Sequence, residues 1–281
     1  MKKNKNTCIA VCTLNAEENI SKVLETCSLN VEKNNLLIVD GRSKDKTISI
    51  SKKFTDNIFF DNGTGLAAAR NIALKNCNKD YIFYVGPDNL IIEGLVNSLI
   101  EEMNDNNWVG ISSLSFYKDP QNYFEKSFNL YKRSKFSVGE RKIIGTPWLY
   151  KTEILKKMKW TDGLSYSDDT DLCQRLEKLN LRIGISKKSC FEIGTINFFE
   201  LKKRWKLYGR SDYEFYTYNT SEFSFFRKVR SFFNAFFVDF IKPISSREIK
   251  LSRKIYILPF LLMITSIRFT KFISILIKTK I

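Results

Sequence analysis

Short apolar runs alternate with helical patterns from residue 7 to about residue 110. The apolar runs occupy 7–14, 35–40, 57–60, 80–85 and 108–114. Apolar residues recur at helical spacing near 17–28, 45–53, 65–77 and 92–104. This alternation predicts a mostly parallel sheet covered by helices on both faces. Ligands of such sheets bind beyond the carboxyl ends of the strands. Polar residues collect at those ends: Asn15 after the first strand, Asp40-Gly41 after the second, Gly86-Pro87-Asp88-Asn89 after the fourth.

The pattern weakens over 116–144, a basic and aromatic stretch that reads as a helix plus a loop. A short strand near 143–151, a helix over 169–180, strands at 182–186 and 189–193, and a helix from Phe198 follow. Over 222–240, Phe225, Phe226, Val229, Phe232, Phe233, Phe236, Phe237 and Phe240 share one helical face opposite Arg227, Lys228, Ser231 and Asn234. That spacing predicts one amphipathic helix. The longest uncharged run, 255–267, holds Pro259 and falls short of the roughly 18–20 residues of a bilayer span. Its continuation carries Arg268 and Lys271, so a helix lying in a membrane interface, or packed on its own domain or a second subunit, fits better. The N-terminal apolar stretch is short and lacks a small-residue cleavage site, so it reads as a buried first strand.

Charge refines this picture. The 281 residues carry a net charge of +16, but residues 1–200 contribute only +4. The last 81 residues contribute +12 and hold 18 of the 39 aromatics. A nearly neutral body followed by a basic, aromatic extension implies a polyanionic partner for the extension. Histidine is absent, which excludes His-based nucleophile activation, His general bases and His-ligated zinc. The six cysteines lie mostly far apart with no C-x-x-C, as buried thiols of a reducing compartment do.

Several short patterns carry candidate chemistry. Gly63-Thr64-Gly65-Leu66-Ala67-Ala68 matches a dinucleotide fingerprint, but it follows the third strand and lacks the acidic residue such a fold needs at the next strand end. Asp40-Gly41-Arg42-Ser43-Lys44-Asp45 reads as a capped turn, or as a carboxylate facing a base edge. Asp88 after Gly86-Pro87 suits a hard divalent cation on a diphosphate, or simply a turn. Asp168, Asp169 and Asp171 crowd a helix start, where they complement the dipole or raise a neighbour's pKa into the range of a general base. Arg204-Trp205 and Tyr208-Gly209-Arg210 read as a solvated basic face or a phosphate clamp.

Taken in order, these pieces resemble the family-2 glycosyltransferases. Thr13, Asn15 and Glu17 stand in its first turn; Asp40, Gly41, Ser43, Asp45 and Thr47 match the second. Gly65, Ala69, Arg70 and Asn71 match a G-x-x-x-A-R-N stretch, and Gly86-Pro87-Asp88 aligns with the D-x-D metal motif. Asp168, Asp169, Asp171, Leu172 and Arg175 match the E-D-x-D-L-x-x-R helix start, with Asp168 in place of Glu. The resemblance covers residues 7–210.

It implies a GT-A, Rossmann-like domain over 1–210, with nucleotide-sugar binding in about 1–115 and acceptor binding and catalysis in about 116–210. A helical basic extension over 211–281 follows. It implies a hexosyltransferase-like enzyme that moves a sugar from a nucleotide-diphosphate sugar to an acceptor hydroxyl with inversion. Asp169 would be the base and Asp168 would hold the acceptor. Thr13, Asn15, Glu17, Asp40, Ser43, Arg70, Asp88 and Arg204 would hold the nucleotide sugar. Asp88 would hold Mg²⁺ or Mn²⁺, with dependence on metal put in question by Gly86. A glycan or lipid-linked acceptor, bacterial-type cell-surface polysaccharide synthesis, and a cytoplasmic place on an anionic membrane face follow from the same resemblance. The rival readings are a degenerate nucleotide-sugar binder, a nucleotidyltransferase, and a nucleic-acid binder. The last is disfavoured because carboxylates at the working edge repel phosphate; oligomeric state stays open.

Overall fold

The computed structural model describes residues 2–61, 63–164, 167–194 and 196–279. The chain forms two compact units, Met1–Phe116 with Val138–Gly194, and Tyr117–Ser137 with Thr195–Ile281. The boundary expected at residue 210 falls inside a helix, Phe198–Asn219.

The first unit is built on a nine-stranded sheet. In chain order the strands are β1 (Thr7–Thr13), β2 (Leu36–Asp40), β3 (Ile58–Phe60), β4 (Tyr81–Val85), β5 (Asn89–Leu90), β6 (Gly110–Tyr117), β7 (Gly139–Arg141), β8 (Trp148–Lys151) and β9 (Ile183–Glu192). They stand in the order β3-β2-β1-β4-β8-β6-β9-β5, with β7 on β9. The half β3-β2-β1-β4 is parallel, and β8 pairs antiparallel with β4 and β6. β1 and β2 are buried almost throughout, as continuous apolar runs of a parallel sheet must be.

Its helices are α1 (Ile20–Ser28), α2 (Thr47–Ser51), α3 (Leu66–Asn76), α4 (Leu95–Asp105), α6 (Thr152–Met158) and α7 (Asp168–Lys178). α3 packs on β1 and β2, and α4 on β8 and β9. The core joins Ile9, Val11, Leu36, Ile38, Phe83 and Val85 of the sheet to Ile20, Val23 and Leu24 of α1 and Leu95 and Leu99 of α4. All six cysteines are free, and all but Cys12 are buried.

The two strands expected over 182–193 are one continuous strand, β9. Its exposed middle, Lys187-Lys188, looks like a turn in sequence. The strand is held there by Glu102 of α4, whose carboxylate accepts from the Ser186 hydroxyl (2.6 Å) and the Lys187 N–H (3.2 Å).

The second unit is helical: α5 (Tyr123–Lys135), α8 (Phe198–Asn219), α9 (Phe225–Phe232), α10 (Lys242–Ser245) and α11 (Leu251–Lys278). α11 packs along α8 and against α5, around Phe128, Tyr131, Leu201, Trp205, Phe260, Leu261 and Ile264.

The single amphipathic helix expected over 222–240 is broken. α9 ends at Phe232, and a π-helical segment, Phe236–Ile241, follows. The cause is Asp239, which lies on the inner side with no exposure at all. It accepts from Trp205 Nε1 (3.0 Å), Arg268 Nη1 (2.9 Å), Lys135 Nζ (3.1 Å) and the Tyr131 hydroxyl (2.5 Å). Arg268 in turn makes a two-pronged bond to Asp212 of α8, at 2.6 and 2.7 Å. A π turn shifts the register enough to bring a carboxylate inward. By length and composition α11 is apolar enough to cross a membrane. Its Arg268, however, is buried and paired within this unit, and its Phe260–Ile264 turn fills the core.

Candidate active site

The parallel register sets the site. Thr13 pairs with Asp40 and Val11 with Val85, so the residues after β1, β2 and β4 all leave at one edge. Two turns meet there and brace each other. The Asn15 N–H donates to Ser43 Oγ (2.8 Å), and Asn15 Oδ1 accepts from the Lys44 N–H (2.9 Å). The Ala16 N–H donates to Thr47 Oγ1 (2.8 Å) and the Glu17 N–H to Asp45 (3.1 Å), while Glu17 accepts from the Lys46 N–H (2.9 Å). Asn15 and Arg42 take positive φ, 49° and 68°, which the sharp turns require.

Asp40 is wholly buried, and its two oxygens accept from the Ser43 N–H (2.7 Å) and hydroxyl (2.5 Å). Its visible task is to hold the second turn. Thr13 is buried, and its hydroxyl has no hydrogen-bond partner among the described residues. That is an orphaned polar atom at the site's floor, of a kind folded proteins rarely leave.

Asp88 is half-buried between β4 and β5, and its carbonyl accepts from the Ile193 N–H (2.9 Å). Gly86 leaves room for the Asp88 and Asn89 side chains in their present rotamers. A Cβ there would lie 2.8 Å from Asp88 Oδ1 and 2.7 Å from Asn89 Oδ1. Among the described residues no cluster of three or more acidic or thiol side chains forms a metal cage. One carboxylate still suits Mg²⁺ or Mn²⁺, since such ions keep waters and take phosphate oxygens.

α7 supplies the acidic helix start. Asp168 is buried and ion-paired to Arg70 of α3. The Arg70 guanidinium also lies 5.0 Å from the Trp148 ring centre and 4.7 Å from that of Trp160, a cation held by two indoles. Asp169 stands next to this pair, partly exposed. Burial and then the Asp168 charge raise its pKa to about 6, against the opposing pull of Arg70 and of its bonds from Thr170 (2.6 Å from the N–H, 3.2 Å from the hydroxyl). Cys12, half-buried one residue from the end of β1, has its thiol pushed up to about 12 by desolvation, with Arg70 lowering it and Asp168 and Asp61 raising it. The Tyr84 hydroxyl, one residue from the end of β4, donates to the Arg70 carbonyl (2.9 Å), so the Arg70–Asp168 pair sits at the same strand edge as the turns.

The first unit thus gathers Thr13, Asn15, Glu17, Asp40, Ser43, Arg70, Asp88, Asp168 and Asp169. Arg204 belongs to the second unit, on α8, 5.2 Å from the Phe128 ring centre. Neighbouring Trp205 is fully buried and donates to Asp239. Trp148 and Trp160 were missed from sequence. Their only signal was that two indoles flank a stretch with no strong periodicity.

Residues 8–159 match the model of glycosyl transferase family 2. The chain belongs to that family. An uncharacterized glycosyltransferase of Rickettsia typhi is 28% identical over 171 residues. That match covers 55% of this chain and about half, 52%, of the relative. Among solved structures, a mannosyltransferase of Pyrobaculum calidifontis in complex with GDP-Man and Mn²⁺ superposes with TM-score 0.65 at 13% identity, covering 97% of this chain and 86% of that one. S. aureus TarS residues 1–349 in complex with UDP-GlcNAc gives 0.53 at 16%, covering 92% and 81%. A Mycobacterium tuberculosis glucosyl-3-phosphoglycerate synthase with Mn²⁺, UDP-Glc and phosphoglyceric acid gives 0.51 at 15%, covering 70% and 74%. These likenesses establish the GT-A fold expected from the motif order.

Proposed function

We propose that this family-2 chain transfers a sugar from a nucleotide-diphosphate sugar to an acceptor hydroxyl, with inversion. The observation that carries the reading is Asp169, a half-buried carboxylate poised near pH 6 beside a buried Arg70–Asp168 pair. With no histidine in the chain, a carboxylate is the natural base.

The two braced turns hold the nucleoside end, with the Thr13 hydroxyl, Asn15, Glu17 and Ser43 facing the donor and Asp40 acting through the turn it fixes. Asp88 would hold Mg²⁺ or Mn²⁺, which when bound would supply positive charge to offset that of the diphosphate leaving group. Arg70 pairs with Asp168 and pulls against the burial and charge that raise Asp169, while Arg204 would add positive charge for the leaving group. Asp168 orients the acceptor, and Asp169 takes its proton as the hydroxyl attacks the anomeric carbon from the opposite face. Most of the rate comes from positioning and fixed charge.

Domain roles follow the same division: donor binding in about 1–115, acceptor binding and catalysis in about 116–210, membrane attachment in 211–281. The acceptor is a lipid-linked glycan in cell-surface polysaccharide synthesis, met at the cytoplasmic membrane face by the basic extension. A degenerate donor binder is the second reading, favoured by the lone carboxylate at 88 where the motif has two acids.

A screen of nucleotide sugars for nucleotide-diphosphate release separates the two. We expect release with one donor class, reduced at least about 10²-fold in Asp169→Asn, in line with general-base contributions, while nucleotide binding persists. Wild-type-like turnover in that variant refutes the base. Binding without turnover in the native chain supports the degenerate reading. In Asp88→Ala, metal-dependent nucleotide affinity measured by calorimetry is lost; unchanged affinity with Mn²⁺ removes Asp88 as ligand.

A further inference from the structure

In the second unit α8 and α11 cross at Gly209. A Cβ there would lie 2.4 Å from the Arg268 carbonyl oxygen and 2.9 Å from Lys271 Cβ. Beside the crossing the two helices flank an open cavity of about 380 Å³, lined by Lys202, Lys206 and Lys271 with Ser266, Thr270 and Ser274. Among the described residues no carboxylate lines it. Cations lining one groove repel, and a bound polyanion would relieve that repulsion. The pKa of Lys271 is held below the ordinary lysine value by desolvation and then by Arg210, Lys278 and Lys206.

The hydroxyls matter as much as the ammonium groups. Residues 266, 270 and 274 form one i, i+4 row on α11, so their side chains succeed one another along the cavity. Traced toward the helix start, the same exposed side becomes apolar at Leu262 (51% exposed), Leu258 (36%), Ile255 (64%) and Leu251 (73%). Lysine is a point-charge binder of phosphate, and a phosphate offers enough acceptor oxygens for several ammonium and hydroxyl donors at once. The adjoining apolar row suits the same anion when it is the headgroup of a lipid.

We propose that the α8–α11 groove is a phosphate-binding site, taking a phosphate monoester or diphosphate through Lys202, Lys206 and Lys271 with Ser266 and Thr270. The phosphate comes either from a lipid headgroup or from a soluble ester. The groove is lined by residues of the second unit, and its test reads no transfer activity.

The test is amine acetylation of the full-length chain under limiting reagent, read lysine by lysine by mass spectrometry. The chain is probed alone, with sodium pyrophosphate, with phosphatidic acid vesicles and with phosphatidylcholine vesicles. A bound anion raises the amine pKa, and each unit of rise lowers the reactive neutral fraction about tenfold. We expect acetylation of Lys206 and Lys271 to slow by about that factor, with exposed Lys157 of the first unit unchanged. Protection by pyrophosphate and phosphatidic acid vesicles alike assigns the phosphate group itself. Protection by the vesicles alone assigns a lipid headgroup, and by pyrophosphate alone a soluble ester. No protection in any arm, or equal protection by phosphatidylcholine vesicles, overturns the proposal. In Lys206→Gln/Lys271→Gln the slowing of the remaining Lys202 is lost if the groove binds as stated; its survival places the anion elsewhere.

Discussion

At the scale of single residues, Asp169 ties stability and activity to one proton. Its pKa in the folded chain, about 6, lies above the roughly 3.9 of an unfolded aspartate. The folded state therefore binds the proton more tightly. Stability falls as pH rises from about 3.9 to about 6, and the full cost of the charge is present above that window. Asp169→Asn removes the cost, so its melting temperature should exceed that of the native chain at pH 8 and match it more closely at pH 4. If Asp169 is the base as proposed, activity runs the opposite way, because a base works only when ionised: kcat/KM should rise through an inflection near pH 6. The Thr170 hydroxyl stabilises the ionised form. In Thr170→Val that inflection should move to higher pH with the fold intact. A pH–rate profile that stays in place would separate the acid limb from Asp169. None of this is legible in a row of three acids. The sequence shows crowded carboxylates; it does not show that Arg70, 98 residues away, pairs with Asp168, or that Asp169 beside that pair is the one raised by burial.

At the scale of elements, what was legible depended on how local the cause is. The parallel strands and the turns after them follow from periodicity and from Gly and Asp at strand ends, and both lie where expected. The mutual bracing of the two turns spans about 30 residues but uses matched turn chemistry, so the motif order carried it. The break at Phe236–Ile241 did not show, because its cause is a buried carboxylate whose partners come from α5, α8 and α11. The Tyr208-Gly209-Arg210 stretch reads in sequence as a solvated basic face or a phosphate clamp, and the structure makes Gly209 itself a packing point. Gly209→Ala should cost about 1–3 kcal/mol, the range for forcing atoms into a filled space. Equilibrium urea unfolding is the measurement. An unchanged midpoint would mean the helices part without penalty. Asp239 argues the same way: Arg268 and Lys135 hold its carboxyl far below the usual range against the burial that raises it. Its contribution is present above about pH 3.9 and is lost as pH falls below that. Asp239→Leu should therefore cost about 3–5 kcal/mol near neutrality, because Arg268 and Lys135 would stay buried without their shared partner.

At the scale of the whole molecule, the net charge of +16 divides unevenly, and the basic share coincides with apolar side chains that remain exposed. Phe225 and Phe226 are 74% and 83% exposed, and Arg227 and Lys228 follow them directly. Aromatic insertion from one face of α9 and cationic attraction from the opposite, basic face would then add to each other, each basic side chain contributing on the order of 1 kcal/mol near anionic lipid. Cutting the chain after Asn219 would be a poor test of this, since Phe260, Leu261, Ile264 and Phe272 of α11 lie in the interior of their unit and would be lost with the surface. Point changes on the exposed side avoid that. Phe225→Ser/Phe226→Ser should reduce sedimentation with phosphatidylglycerol vesicles while leaving the melting temperature within about 1–2 °C, as for surface changes that remove no packing. Raising salt should weaken the native chain's binding further, since the charged part is screened over roughly 10 Å at 0.1 M. If the double variant sediments as the native chain does at every salt concentration, the exposed phenylalanines take no part in attachment. The hold would then lie elsewhere on the basic extension.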